Sequence, residues 1–434
     1  MKMNYLIPSR FHIKYNTILL YLIIFFSADT YLFGTNSDEA IETFSRYLLI
    51  PICAFLFLRW SIKKQNLFGQ KKKILYFFIL ETIFVFSSLV NNDSITYIVI
   101  KSLIICAAFL VTMLFSFDEF VTSFCESMFF ISICAIILEI LAYTNSILVD
   151  SLPGVIGTGE AVTKTCYLAG VLSDYLGTKA IRASGIFWEP GVFTIYLNIA
   201  IAFELFYKKQ ITMKYLIIEI IAVVITFSTT GYIVFIWQLL CYGFFGKREN
   251  DSKTRNTNRV ATVLLITFFL LIVLFSTGIA NFVFEKFTYV GGGSARKASV
   301  IINIQMALEH PLFGIGNELA MHDEFEKLTA ESPYIYGWAR DNTNTLLFLF
   351  AAYGIPFGLL ITIGTYRFGK LISRGRKKIA LIIFSILVLL YTGENLRLST
   401  IPFIIVFYGY QRNKLHNHTD YQSIFLPLNK YSCK

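Results

Sequence analysis

The sequence predicts an all-α polytopic membrane protein. We expect about twelve transmembrane helices in a single integral membrane domain over residues 1–434, with two larger outer loops. Three observations predict this. Hydrophobic residues make up 56% of the chain and charged residues only 15%, against roughly 25% charged in a soluble domain. Apolar runs long enough to cross a bilayer, about 20 residues each, recur over nearly the whole length. Lysine and arginine fall, by about three to one, on alternate connecting segments, the bias expected when cytoplasmic loops carry the orienting charge. That pattern also accounts for the net charge of +10, so no nucleic-acid partner is implied.

In chain order, the first span is expected over 15–33. It lacks a small-x-small cleavage site and is long enough to span, so it reads as a retained helix. Spans follow at 44–60, 74–91, 95–116 and 120–142, then a long outer segment, 143–185. The next span, 186–207, leads to a paired run over 214–230 and 231–246. Ser228-Thr229-Thr230-Gly231 supplies the turn between its two halves. Span 260–280 precedes the second long outer segment, 281–341, and spans 342–366, 379–393 and 397–410 complete the set. Both termini are then expected in the cytoplasm. Glu81, Lys101, Glu139 and Glu219 fall inside spans, where an ionisable group is costly unless it meets a partner or a cavity. No internal repeat of the kind many transporters carry is visible. The seven cysteines contain no CxxC, and most lie in apolar runs as small membrane residues.

Long loops usually carry function. The first ends in RASGIFWEPG, residues 182–191. Pro190 suits the first turn of a helix, where its missing N–H costs nothing. Glu189 then stands at the helix N-terminus, where negative charge is favoured. Two readings stay open here: a capped helix start with Trp188 as an interfacial anchor, or a site. Arg182 lies outside the membrane, where it has no orienting role and meets either lipid phosphate or a substrate anion. The second loop begins GGGSARKASVIINIQMALEHPLFGIG, 291–316. Its residues suit a helix from Ser299 to Glu309, ended by Pro311, Gly314 and Gly316. Arg296 and Lys297 at its start would form an anion site or, in the alternative, touch headgroups from an amphipathic surface helix. Further on, Tyr334, Tyr336, Trp338 and Arg340 cluster before the next span and suit either sugar faces or the membrane interface. His310 and His322 have no partner at metal-ligand spacing, so no metal is expected. No phosphate-binding loop appears, and no cofactor is expected.

These residues bear a family likeness. RASGIFWEPG resembles the entry to a span in Wzy-type O-antigen polymerases and the related O-antigen ligases. Arg296 with ALEHPLFGIGN (307–317) is similar to the arginine and Pro-x-x-Gly-x-Gly of the family's second periplasmic loop. NTLLFLFAAYGIPFG (344–358) resembles the span after it. Many ligases and some polymerases carry a His-Asn pair there; this chain has Thr343-Asn344, which weakens the ligase reading. The resemblance implies a metal-independent glycosyltransferase of the bacterial inner membrane. It would polymerise undecaprenyl-diphosphate-linked oligosaccharide repeat units on the periplasmic face, among membrane lipids and with a chain-length regulator as a possible partner. It implies Arg182 and Arg296 as stabilisers of the diphosphate leaving group and Glu189 as base. Lys297, Arg340, Trp188, Tyr336, Trp338 and Asn344 are implied in substrate binding. A ligase acting on lipid A–core, or a polysaccharide flippase, are the alternatives.

Overall fold

A computed structural model describes residues 15–25, 27, 30, 48–62, 70–156, 162–173, 181–246, 292–331, 342–394 and 396–411. The described residues are mostly helical. Helices α1 (Tyr15–Phe25), α2 (Leu49–Ile62), α3 (Lys71–Val90), α4 (Ile95–Leu114) and α5 (Phe117–Thr144) come first. A short α6 (Ser146–Asp150) follows, then four strands: β1 (Gly154–Ile156), β2 (Val162–Thr165), β3 (Gly170–Ser173) and β4 (Arg182–Gly185). The chain continues as α7 (Pro190–Ala202), a π-helical turn at Phe203–Tyr207, α8 (Met213–Ile225) and α9 (Thr229–Phe245). Beyond the next described boundary lie α10 (Gly292–Glu309), α11 (Asn317–Met321), α12 (Asp323–Glu331), α13 (Thr345–Ile372), α14 (Lys377–Gly393) and α15 (Ile401–Gly409).

Among the described residues, five helical segments are long and apolar enough to cross a membrane: Lys71–Val90, Ile95–Leu114, Phe117–Thr144, Pro190–Tyr207 and Thr345–Ile372. Small polar caps set several starts by satisfying the backbone N–H groups of a first turn. The Ser94 hydroxyl accepts from Tyr97 N at 3.2 Å. Ser116 and Glu119 form a reciprocal capping box before α5, and Ser228 accepts from Gly231 N at 3.3 Å to start α9. The Ser228 cap explains why the apolar run 214–246 is two helices.

Every residue of α7 and of α15 is buried, so these two helices form the centre of the bundle. Outward-facing apolar groups such as Phe78, Phe86 and Leu89 on α3 stay exposed, as expected of a helix that is apolar all round and meets lipid. Two spans are shorter as helices than their apolar runs. α1 ends at Phe25 where a span to 33 was expected, and Thr30 bridges instead to Phe187. α7 begins at Pro190 where a span from 186 was expected, because 186–189 form the turn that leads out of β4, with Phe187 in the bridge to Thr30. Span 260–280 lies outside the described residues.

Segment 143–185, expected as the first outer loop, holds a structure the sequence did not predict. It is a four-stranded antiparallel meander, β1-β2-β3-β4. Arg182 opens β4 opposite Leu172, and the sheet packs on α5 and α7.

Helix α13 is broken. Gly354 takes φ 85° and ψ 169°, and Pro356 follows. The freed Ala351 and Ala352 carbonyls accept from Ile315 N at 3.0 Å and Gly316 N at 3.1 Å, while Ile355 N donates to the Pro311 carbonyl at 2.8 Å. Segment 311–316 therefore fills the break with its own backbone. Gly314 and Gly316 also have positive φ. A Cβ on Gly314 would overlap the Ala351 and Ala352 carbonyls, and one on Gly354 would overlap Leu312. Irregular backbone at membrane depth is tolerated when protein satisfies it, and here the loop supplies that satisfaction.

The ionisable residues inside spans are differently placed. Lys101 is fully buried with its Nζ 4.8 Å from the Phe403 ring centroid. Glu81 accepts from Ser102 Oγ at 3.1 Å and stands within the field of Lys101. Glu219 is buried near Glu204, which pairs with Lys208 and accepts from Thr212 N at 2.9 Å. Glu139 is also buried.

Candidate functional site

The turns that end α8 and α14 meet the starts of α7, α10 and α13 at one end of the bundle. Glu394, in the short turn after α14, is the hub. Its carboxylate oxygen lies 3.4 Å from Arg296 Nη2, and Arg296 Nε donates to the Gly393 carbonyl at 3.3 Å. Gly191, in the first turn of α7, packs directly against the same carboxylate, and a Cβ there would collide with it. The Glu394 backbone carbonyl accepts from Thr345 Oγ1, which in turn accepts from Leu396 N at 2.9 Å. The Glu394 side chain is 9% exposed and that of Arg296 is 37% exposed. The carboxylate thus stands between a guanidinium and the positive end of a fully buried helix, two favourable partners for one negative charge.

Arg182 reaches this end of the bundle from the sheet. It is 2% exposed, and its Nε donates to the Thr226 carbonyl at 3.1 Å, at the end of α8. The 226–230 turn connects it to Glu394: Thr194 Oγ1 of α7 donates to Ser228 Oγ at 3.3 Å, and Gly393 lies against Thr230. Arg182 and Arg296, the two arginines singled out in the sequence, are thus tied to one set of turns.

Glu189 is the residue before α7, with extended backbone (φ −142°, ψ 144°), a half-buried side chain and no side-chain cap bond. Its carbonyl accepts from Phe193 N at 3.2 Å. Glu189 thus holds the N-cap position the sequence assigned to it, while the carboxylate that packs against the first turn is that of Glu394. Trp188 is half-buried against the core. Lys297 is exposed beside Arg296 on α10.

Asn344 is buried and caps α13, its side-chain oxygen accepting from Leu347 N at 2.8 Å. The residues before it bind α10. Asn342 and Asn303 exchange side-chain amide bonds at 2.7 and 2.9 Å, and Thr343 N donates to Ser299 Oγ at 3.0 Å. The positions where a His-Asn pair was sought are thus a polar clasp between α10 and the entry to α13. Tyr336, Trp338 and Arg340 lie outside the described residues. Among the described residues, no three His, Cys, Asp or Glu side chains gather as metal ligands.

Sequence reasoning missed Glu394. Its signal was a single acid in the short connection between the last two apolar runs, where nothing else in the sequence set it apart.

A family model described as O-Antigen ligase, Wzy_C, matches residues 215–363, about a third of the chain. The match takes in Arg296, Lys297, the 311–316 segment, Asn344 and the break at Gly354. It leaves Arg182, Glu189 and Glu394 outside. No curated protein matches the chain. The match supports the O-antigen polymerase/ligase superfamily and does not separate polymerase from ligase. With the apolar helices, it supports a bacterial membrane protein.

Proposed function

We propose that the protein is a glycan polymerase of this superfamily, joining polyprenyl-diphosphate-linked repeat units at the outer face of the bacterial inner membrane. The observation that carries the reading is the convergence of Arg296, Glu394 and the start of α7, with Arg182 tied to the same turns. In such a reaction an acceptor hydroxyl attacks the anomeric carbon of the donor glycan. The bond to the diphosphate breaks, and the lipid diphosphate leaves with the bonding electron pair. Negative charge grows on the leaving oxygen, so fixed cations aimed at it stabilise the transition state more than the ground state. Arg296 and Arg182 take that task. Glu394 positions Arg296 through their ion pair. Glu189, which does not cap its helix, takes the acceptor proton as base. The glycosyl–diphosphate bond that breaks carries the driving free energy, so no nucleotide is required.

Ligation of finished glycan to lipid A–core is the second reading, favoured by the description of the matching family. The lipopolysaccharide banding of a deletion strain beside its complemented parent separates the two. Core bearing one repeat unit supports polymerisation. Bare core with polymer retained on its lipid carrier supports ligation. An unaltered ladder defeats both for lipopolysaccharide.

A further inference from the structure

A cavity of about 490 Å³ opens where the α3–α4 turn, the start of α4, α11 and the α14–α15 turn meet. Asp93 from the α3–α4 turn, Thr96 and Tyr97 from the start of α4, Asn317 and Glu318 from α11, and Arg397 from the α14–α15 turn line it. Its polar groups are held in place. Asp93 Oδ1 accepts from Asn317 N at 2.8 Å, and Arg397 Nη1 donates to Asn317 Oδ1 at 3.5 Å. The Tyr97 hydroxyl is bonded to that of Tyr353, the residue before the break in α13. The volume lies within the roughly 300–1,000 Å³ of organic-ligand sites, so it holds sugar rings rather than a single ion.

Its charge excludes the anionic end of a lipid-linked donor. Two carboxylates face one guanidinium, a net negative wall that repels diphosphate. Carboxylate and amide oxygens accept from hydroxyls, and amide and guanidinium N–H groups donate to them, which is the complement a polyol presents. Arg397 and Glu394 belong to the same short turn, so a glycan in the cavity has its end close to the arginine that faces the leaving group. We propose that this cavity binds the acceptor glycan through its hydroxyls and that the Glu394–Thr400 turn serves both subsites, an inference that rests on the glycosyl-transfer reading.

The probe is the oligosaccharide repeat unit released by mild acid from the producing strain's own surface polysaccharide, titrated calorimetrically into purified full-length protein in nanodiscs. Glu318→Gln alters an exposed side chain, and Thr96→Trp fills the cavity from its exposed rim; neither disturbs the Asp93–Asn317 bond. We expect each to weaken binding about tenfold or more, and Arg296→Ala to bind as the parent does. In transfer assays Glu318→Gln should raise KM for the acceptor and leave KM for the lipid-linked donor unchanged. Unaltered oligosaccharide binding in both cavity variants overturns the assignment. Displacement of the oligosaccharide by inorganic phosphate, or a rise in donor KM alone, overturns it as well. Parent protein that binds the oligosaccharide in this cavity yet forms no glycosidic bond defeats the transferase reading and leaves the cavity a glycan site.

Discussion

Arg296 keeps 37% of its side chain exposed while pairing with a carboxylate that is 9% exposed. That is the arrangement of a cation held at one end and offered at the other. Arg296→Ala should lower the transfer rate about 10²–10³-fold, the usual loss when one fixed stabiliser of a developing anion is removed, with donor KM little changed; single-turnover kinetics on reconstituted protein check this. Glu394→Gln keeps the shape but loses the ion pair. It should lower the same rate by a smaller factor and flatten the difference between Arg296 and Arg296→Lys. Asp93 gives a pH prediction. Burial raises its carboxyl above the ordinary range, with Glu318 adding repulsion and the bond from Asn317 N opposing both. A carboxyl raised in the folded state supports the fold while protonated, fully below its unfolded value near pH ~4, and that support fades as pH rises through the folded value. Asp93→Asn should therefore remove a step of falling thermal stability that begins near pH ~4, read by melting curves across pH in detergent. The arginines were legible in the sequence because a cation on an outer loop has no orienting role. Glu394 was not, because its partners lie about a hundred and two hundred residues upstream.

At the scale of elements, the motif glycines have a packing task that their spacing alone could not reveal. Gly314 and Gly354 sit at positive φ with carbonyls where a Cβ would go. Gly314→Ala and Gly354→Ala should each destabilise the protein by about 2 kcal/mol or more, from backbone strain and overpacking together, visible as a lowered melting temperature with normal expression. Asn303→Ala strands the Asn342 amide in a buried clasp and should cost about 1–3 kcal/mol. The pattern Pro-x-x-Gly-x-Gly announced a helix end and a tight turn. That the turn docks into Gly354-Ile355-Pro356, a second motif some forty residues on, depends on tertiary contact and so was invisible. The meander of β1–β4 was hidden for another reason: its strands are three or four residues long, too short for alternation to register.

For the whole molecule, charge alternation predicts which end of the bundle faces outward. Cys166, exposed at the end of β2, tests it: a membrane-impermeant maleimide applied to outer-membrane-permeabilised cells should label the parent and fail on Cys166→Ser. Labelling only after the inner membrane is opened would invert the layout. Hydropathy carried the helical class and, among the described residues, the five helical segments long and apolar enough to span, since apolar length is a local property. It overestimated α1 and α7, whose neighbours Thr30 and Phe187 pair in a β-bridge instead.

The backbone of α13 cannot be completed from its own residues; the stitches come from a loop made earlier in the chain. During synthesis, segment 311–316 leaves the ribosome before 345–372. When 345–372 enters, its bare carbonyls at Ala351 and Ala352 would confront lipid unless that loop is already folding onto them. Membrane insertion of this span and docking of the loop are therefore one event, and a translocation intermediate with the helix inserted and the loop undocked should be the form that quality-control proteases recognise.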